Sequence, residues 1–405
     1  MEQANLKLYG YRWAVLVVFM FVIAVNQLLW ITFAPITGVA ASYYGVSDLS
    51  IGLLSLSFMI VYIFVSIPAS WVIDTFGFRW AVGIGAVLTG VFGLTRGLAA
   101  SNYNLVLISQ IGIAVGQPFI LNSLTKVAAR WFPIQERATA SGFGSLSMYL
   151  GIVLGMVVTP FLVRSTSIDS MLLTYGVVAA VAAVVFLVFA RERPPTPASP
   201  AGMEVRSLVF DGLRQIVRMR SFVLLMGIFF IGLGVFNSVT TWIEDILRPR
   251  GFSITQAGLT GGLMVIGGIA GAAILPALSD RYHRRVPFII LALAASTVGL
   301  IGITYATSYP ILLIAAFVMG FFLLSAGPIG FQYGAEITYP APEGTSNGLL
   351  LLMGQISGIL FILGMDSFKD PATGSMTTSL LVLAGLMILG LLLSTRLKES
   401  SLLKR

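Results

Sequence analysis

The sequence has 405 residues, 57% of them hydrophobic and only 10% charged, with a mean hydropathy of +0.94. A soluble chain carries about a quarter charged residues, so this composition excludes a water-soluble domain and points to a polytopic membrane protein. Cysteine is absent and histidine occurs once, as His283, which excludes disulfides, thiolate metal sites and most histidine-built acid–base sets; the +8 formal charge needs its own explanation.

A membrane helix needs about 20 mostly apolar residues. In chain order such runs predict twelve helices, at 13–40, 48–73, 79–99, 103–129, 137–163, 170–190, 221–247, 253–279, 286–306, 309–335, 344–367 and 374–395. The first run is too long for a signal-peptide core and is expected to stay in the mature chain. Helix 1 carries NQLLWITFAP, which sets Asn26, Gln27 and Trp30 at mid-depth. Helix 3 holds Arg96 toward its far end, and helix 4 holds Gln110 and Gln117, seven apart and so on one face. Helix 5 contributes Tyr149, helix 7 Phe236 and Asn237, and helix 11 Gln355. Glu244 and Asp245 near the end of helix 7 read as gating or capping groups, as does Glu336 near the end of helix 10. The prolines after residue 193 mark a loop, and VRSLVFDGLRQIVRMR (205–220) is either a basic amphipathic helix on the membrane surface or a solvated linker.

With both termini cytoplasmic, 19 of the 24 Lys and Arg residues fall on inner loops and ends and five on the outer side. The basic balance is therefore a topology signal rather than a nucleic-acid footprint. The linker at 191–220 separates six-helix stretches at 1–190 and 221–405, and these repeat. Asp74 with Arg79 recurs as Asp280 with Arg285, an aspartate offset of 206; Phe132-Pro133 with Glu136 recurs as Tyr339-Pro340 with Glu343 at 207; Gly151 recurs as Gly358 at 207. Two parallel six-helix repeats with a basic linker are the plan of the major facilitator superfamily.

The Asp-x4-Arg element, clearest in DRYHRR (280–285), resembles the signature loop of that superfamily, with His283 where glycine is usual and Ser70 and Pro276 where a small glycine is usual. In the superfamily these charges latch one conformation, which assigns that role to Asp74, Arg79, Arg137, Asp280, Arg281, Arg285, Glu336 and Glu343. PASWVIDTFGFR (68–79), GQPFILN (116–122), WFP…ER (131–137) and above all GFQYGAEITYPAPEGTSNGLL (330–350) resemble the feline leukaemia virus subgroup C receptor family of facilitators. Members of that family are implicated in choline and ethanolamine transport, and haem export has also been proposed. The resemblance implies that its cavity tryptophan falls on Trp30, its glutamines on Gln117 and Gln355, and its helix-7 aromatic, usually tyrosine, on Phe236. An acid in helix 10 of animal members appears here as Gln332.

Lipid gives an amide no partner, so mid-depth polar groups face protein or a wet cavity. Trp30, Gln27, Asn26, Gln117, Tyr149, Phe236, Asn237 and Gln355 at one depth read as a shared substrate site. No Lys, Arg, Asp or Glu stands at the midplane of any helix. Aromatic walls with amide rims suit a neutral, zwitterionic or quaternary-ammonium solute. The expectation is an all-α alternating-access transporter of a choline- or ethanolamine-type solute by facilitated diffusion, monomeric, in the plasma (cell inner) membrane, needing no cofactor, metal or nucleic acid, and not an enzyme. Two alternatives stay open: a proton-coupled organic-anion symporter with Arg96 essential, and a non-transporting receptor on the same scaffold.

Overall fold

A computed structural model of the chain describes residues 8–133, 136–196, 216–339 and 343–400, apart from the side chains of Ala138 and of residues 343–345. The surface helix expected at 205–220 lies largely outside these residues. Among them every regular element is helical, and twelve helices are long and apolar enough to cross a membrane. In hydrocarbon only a helix satisfies its own backbone, which is why long apolar runs resolve this way.

The twelve are helix 1 (Tyr11–Ile31, continued as Thr37–Tyr44), helix 2 (Asp48–Phe76), helix 3 (Phe78–Leu98), helix 4 (Tyr103–Leu121, continued as Leu124–Trp131), helix 5 (Arg137–Ser165), helix 6 (Ile168–Phe189), helix 7 (Arg220–Thr241), helix 8 (Ile254–Tyr282), helix 9 (Val286–Tyr305), helix 10 (Tyr309–Thr338), helix 11 (Glu343–Ser367) and helix 12 (Thr377–Ser394). Within each unit, taken by itself, the even-numbered connections are called here its terminal face and the odd-numbered connections its distal face.

Three helices expected to be continuous are broken. Helix 1 stops at Ile31 and passes through a 3-10 turn at Ala34–Ile36. Pro35 has no N–H for the carbonyl four residues back, and its ring crowds that carbonyl. The Thr37 hydroxyl donates to the carbonyls of Phe33 and Ala34, 3.3 Å each, as the helix restarts. Helix 4 breaks at Asn122, one turn after Pro118. Helix 7 ends at Thr241, and a short helix, Ile243–Leu247, follows with Glu244 and Asp245 in its first turn, where the helix dipole favours acids.

The chain forms two compact units. One contains Met1–Ile31, Val61–Gly155 and Leu162–Leu208; the other contains Thr32–Ile60, Met156–Phe161 and Val209–Arg405. The division falls at the break in helix 1 and inside helices 2 and 5. Within the first unit helix 3 lies against helices 4 and 6, and helix 1 against helix 6. Within the second, helix 9 lies against helices 10 and 12, and helix 7 against helix 12, so the sequence repeat reappears in the choice of neighbours. The Met156–Phe161 segment of helix 5 is held by helix 8. A Cβ at Gly258 would stand 2.3 Å from the Met156 carbonyl oxygen, so only glycine admits so close a backbone.

The connection after helix 8 turns through a left-handed residue, His283, at φ 53°, and the matching position after helix 2 is Gly77, at φ 91°. A side chain in this region costs about 1–2 kcal/mol, which explains why glycine is usual there. His283 is exposed, and among the described residues its imidazole makes no hydrogen bond or ion pair. His283→Gly should therefore stabilise the protein by about 1 kcal/mol, read as a small rise in Tm. Gly77→Ala should lower Tm, because its Cβ would stand 2.2 Å from Glu192 Oε1.

Candidate functional site

The mid-depth residues of the first unit divide into two groups. Asn26 is committed to packing: its Nδ2 donates to Thr89 Oγ1 at 3.1 Å, and Thr89 in turn donates to the Gly85 carbonyl at 2.8 Å. Gln27 Nε2 reaches Asn26 Oδ1 at 3.5 Å, so this pair joins helix 1 to helix 3. Gln117 and Tyr149 behave differently. Among the described residues neither side chain has a hydrogen-bond partner, yet neither polar group is among the sealed, unsatisfied ones. Trp30, 7% exposed, sits in the last turn of helix 1 before its break.

The Leu29 carbonyl, one residue before Trp30, meets a buried cation. Arg96 is 0% exposed; its Nη1 donates to the Leu29 carbonyl at 3.1 Å and to Gln110 Oε1 at 2.7 Å. Gln110 Nε2 donates to the same carbonyl at 3.1 Å, closing a triangle. At the break in helix 4, Tyr62 donates to Asn122 Oδ1 at 2.7 Å, and Asn122 Nδ2 donates to Ser66 Oγ at 3.0 Å and Ser70 Oγ at 3.1 Å. The Asn122 role was not evident in GQPFILN, where Gln117 drew attention, and it gives Ser70 a purpose.

In the second unit Phe236 is buried. Asn237 Nδ2 donates to the Gly354 carbonyl at 3.3 Å, which ties helix 7 to helix 11. Gln355 is half-buried and has no hydrogen-bond partner among the described residues.

The distal face of this unit carries a charge cluster that sequence reading caught only in part, through Glu244 and Asp245. Arg248 donates to Asp48 Oδ2 at 2.6 Å, to Asp245 Oδ1 at 2.7 Å and to Glu244 Oε2 at 3.1 Å. Lys369 reaches Asp48 Oδ2 at 2.5 Å and Asp245 Oδ1 at 3.0 Å. Glu244 Oε2 also accepts the Gly38 amide at 2.9 Å. The start of helix 2 and the restarted helix 1 are thus locked to the segments after helices 7 and 11. Asp245 is 0% exposed, and its Oδ2 has no partner. Burial drives its pKa up to about 7 against the pull of Lys369, and burial raises Glu244 as well.

On the terminal face the expected latch residues separate. In the second unit Arg285 does join Asp280, and its Nη2 also meets Glu336 Oε1 at 3.0 Å. Burial alone would lower the guanidinium; the two carboxylates outweigh it and raise its pKa. Arg281 is exposed, and the Glu343 side chain lies outside the described residues. In the first unit Asp74 meets Lys126 at 3.5 Å, while Arg79 is exposed and its backbone N–H donates to Glu192 Oε2 at 2.8 Å. Arg137 donates to the carbonyls of Ala129 and Phe132. The two copies are therefore wired differently around Asp-x4-Arg, yet share another device. Glu192 caps the start of helix 3, and Glu399 accepts the amides of Arg285 and Val286 at the start of helix 9. These glutamates are 207 apart, the repeat offset, and that spacing was the signal that could have found them.

The profile of the Major Facilitator Superfamily matches residues 19–362. The chain belongs to the Major Facilitator Superfamily. Solute carrier family 49 member A3 of Danio rerio is 31% identical over 384 residues, 91% of this chain and 81% of that protein. FLVCR1 of Felis catus, named a choline/ethanolamine transporter, is 30% identical over 95% of this chain and 73% of its own. A bacterial homologue of the human lysosomal transporter Spinster, solved inward-facing and unoccupied, superposes with a TM-score of 0.75 at 16% identity, covering 96% of this chain and 98% of that one. The protein is an all-helical transporter of the major facilitator fold, related to the feline leukaemia virus subgroup C receptor proteins as the motifs implied.

A carboxyl that folding pushes up binds its proton more tightly in the folded state. The stability it contributes is fullest below its ordinary value of 3.8 and falls as pH climbs to about 7. Asp245→Asn removes that titration. The difference in Tm between wild type and Asp245→Asn should shift in favour of the variant as pH rises from 5 to 8. A difference independent of pH would contradict this account of Asp245.

Proposed function

We propose that this facilitator moves a small organic amine, of the choline or ethanolamine class, down its gradient, with the terminal face in the cytoplasm as the Lys and Arg distribution favours. The observation that carries the solute class is Trp30, a nearly buried tryptophan at mid-depth in the last turn of helix 1 before its break. A desolvated ammonium over such a ring gains about 2 kcal/mol. Gln117 and Tyr149 leave polar atoms unclaimed by the protein, and these suit the hydroxyl end of the solute. Within the second unit, taken by itself, Phe236 is buried and Gln355 half-buried. Asn26, Gln27 and Asn237 are spent on helix contacts and drop out of the binding set. The relatives named choline/ethanolamine transporters support the same class.

The organic-anion reading loses its key residue. Arg96 would have to meet a carboxylate, but it is sealed among helices 1, 3 and 4 and already donates to Leu29 and Gln110. Labelled choline should enter proteoliposomes of the purified protein without an imposed pH gradient, and Trp30→Ala should cut that uptake by about tenfold, in line with the loss of one cation–π contact. Uptake of monocarboxylates driven by a proton gradient, with choline inert, would refute the proposal.

A further inference from the structure

We infer that Arg96 and Gln110 form a clamp that positions Trp30, by holding the Leu29 carbonyl at the break in helix 1. This rests on the amine reading for its binding arm only.

Leu29 lies in the last turn of the segment Tyr11–Ile31, where backbone carbonyls run out of intrahelical donors. The helix ends at Ile31, two residues before Phe33, the position whose N–H would serve the Leu29 carbonyl in a continuous helix, and this lies inside a span, where water cannot serve it. Two side chains converge on it, Arg96 Nη1 and Gln110 Nε2, each at 3.1 Å, and the 2.7 Å bond between Arg96 and Gln110 Oε1 locks them together. They come from helices 3 and 4, so the held atom is fixed from two directions.

The carbonyl oxygen of Leu29 belongs to the planar peptide unit that also contains the nitrogen and Cα of Trp30. Holding that oxygen orients the plane, and with it the bond from which the indole projects. A free helix end would let this plane rotate about the soft dihedrals on either side.

Satisfying one carbonyl does not require a cation, since Gln110 already donates to it. A cation inside a membrane span is costly and is kept where it serves function. Here it completes the end of a helix, where the backbone dipole presents its negative pole, and its charge makes both hydrogen bonds stronger than neutral ones. Arg96 is therefore a positioning residue that touches no solute. The compact units also divide here, between Ile31 and Thr32, so the clamp grips the last residues of helix 1 that belong to the first unit.

The test is a double-mutant cycle on choline affinity with Arg96→Met, Trp30→Ala and the pair, together with hydrogen–deuterium exchange of the full-length protein. Arg96→Met should weaken choline binding about tenfold in the wild-type background and less than twofold in the Trp30→Ala background, because both act through one ring. Arg96→Lys, charged but shorter and unable to span both partners, should recover part of the loss. The peptide covering 28–36 should exchange at least tenfold faster in Arg96→Met, with helix 6 as an unchanged control. Should Arg96→Met fail to fold, Gln110→Met removes the second donor and is read the same way. Additive losses in the cycle, or unchanged exchange at 28–36, overturn the clamp. If Trp30→Ala leaves choline binding intact, the amine reading fails, and the exchange arm still decides whether Arg96 holds the break.

Discussion

The bilayer supplies no hydrogen bonds, and the rest of this structure follows from that constraint. It makes each span a helix, and it makes each departure from helix a debt that some side chain must settle. The chain departs at Pro35 in helix 1, after Pro118 in helix 4 and at Trp242 after helix 7. A polar side-chain contact lies at each of these breaks, and at helix 1 it serves the backbone itself. Arg96 and Gln110 serve Leu29, Tyr62 and two serines hold Asn122, and the Trp242 indole donates to the Ile362 carbonyl at 3.1 Å. The mid-depth amides Asn26, Gln110, Gln117, Asn237 and Gln355 looked alike in sequence. Hydrogen bonds within the protein account for Asn26, Gln110 and Asn237, whereas Gln117, Tyr149 and Gln355 have no hydrogen-bond partner among the described residues.

Charge follows the same logic at the two faces. On the distal face of the second unit three carboxylates share two cations, so the cluster cannot be neutral with every group ionised, and the most deeply buried acid is the one pushed toward neutrality. On the terminal face each unit caps a helix start with a glutamate drawn from just beyond its last span, Glu192 or Glu399. The cap uses backbone amides, which depend little on neighbouring side chains, and it recurs in both units where the ion pairs around Asp74 and Asp280 differ.

Much of the fold was legible. Twelve apolar runs gave twelve helices with ends close to those observed, because length and hydropathy are what a bilayer selects. His283 stands where glycine is usual, and its backbone is left-handed. The continuity of helices 1, 4 and 7 was misread, since apolar composition carries through a break that only proline hints at. The site was legible in part. Trp30, Gln117 and Gln355 keep their standing as candidates, whereas Asn26 and Asn237 have the same residue type and depth but are consumed by Thr89 and Gly354. Asp48, Arg248 and Lys369 were invisible as a set, because residues 200 and 321 positions apart from Asp48 meet it only through folding.

The sequence by itself determined the class, the number of spans, the duplication and the family, since each of these is written in local composition or in a fixed offset along the chain. Only the tertiary structure decided which polar groups are spent. Whether an amide serves a neighbour or faces a cavity depends on which donors and acceptors lie within about 3 Å of it, and that distance is set by helices far apart in sequence. Arg96 shows the difference most plainly. In sequence it was the one buried cation available to an anionic solute, and in three dimensions it is already engaged, holding the end of the helix that carries Trp30.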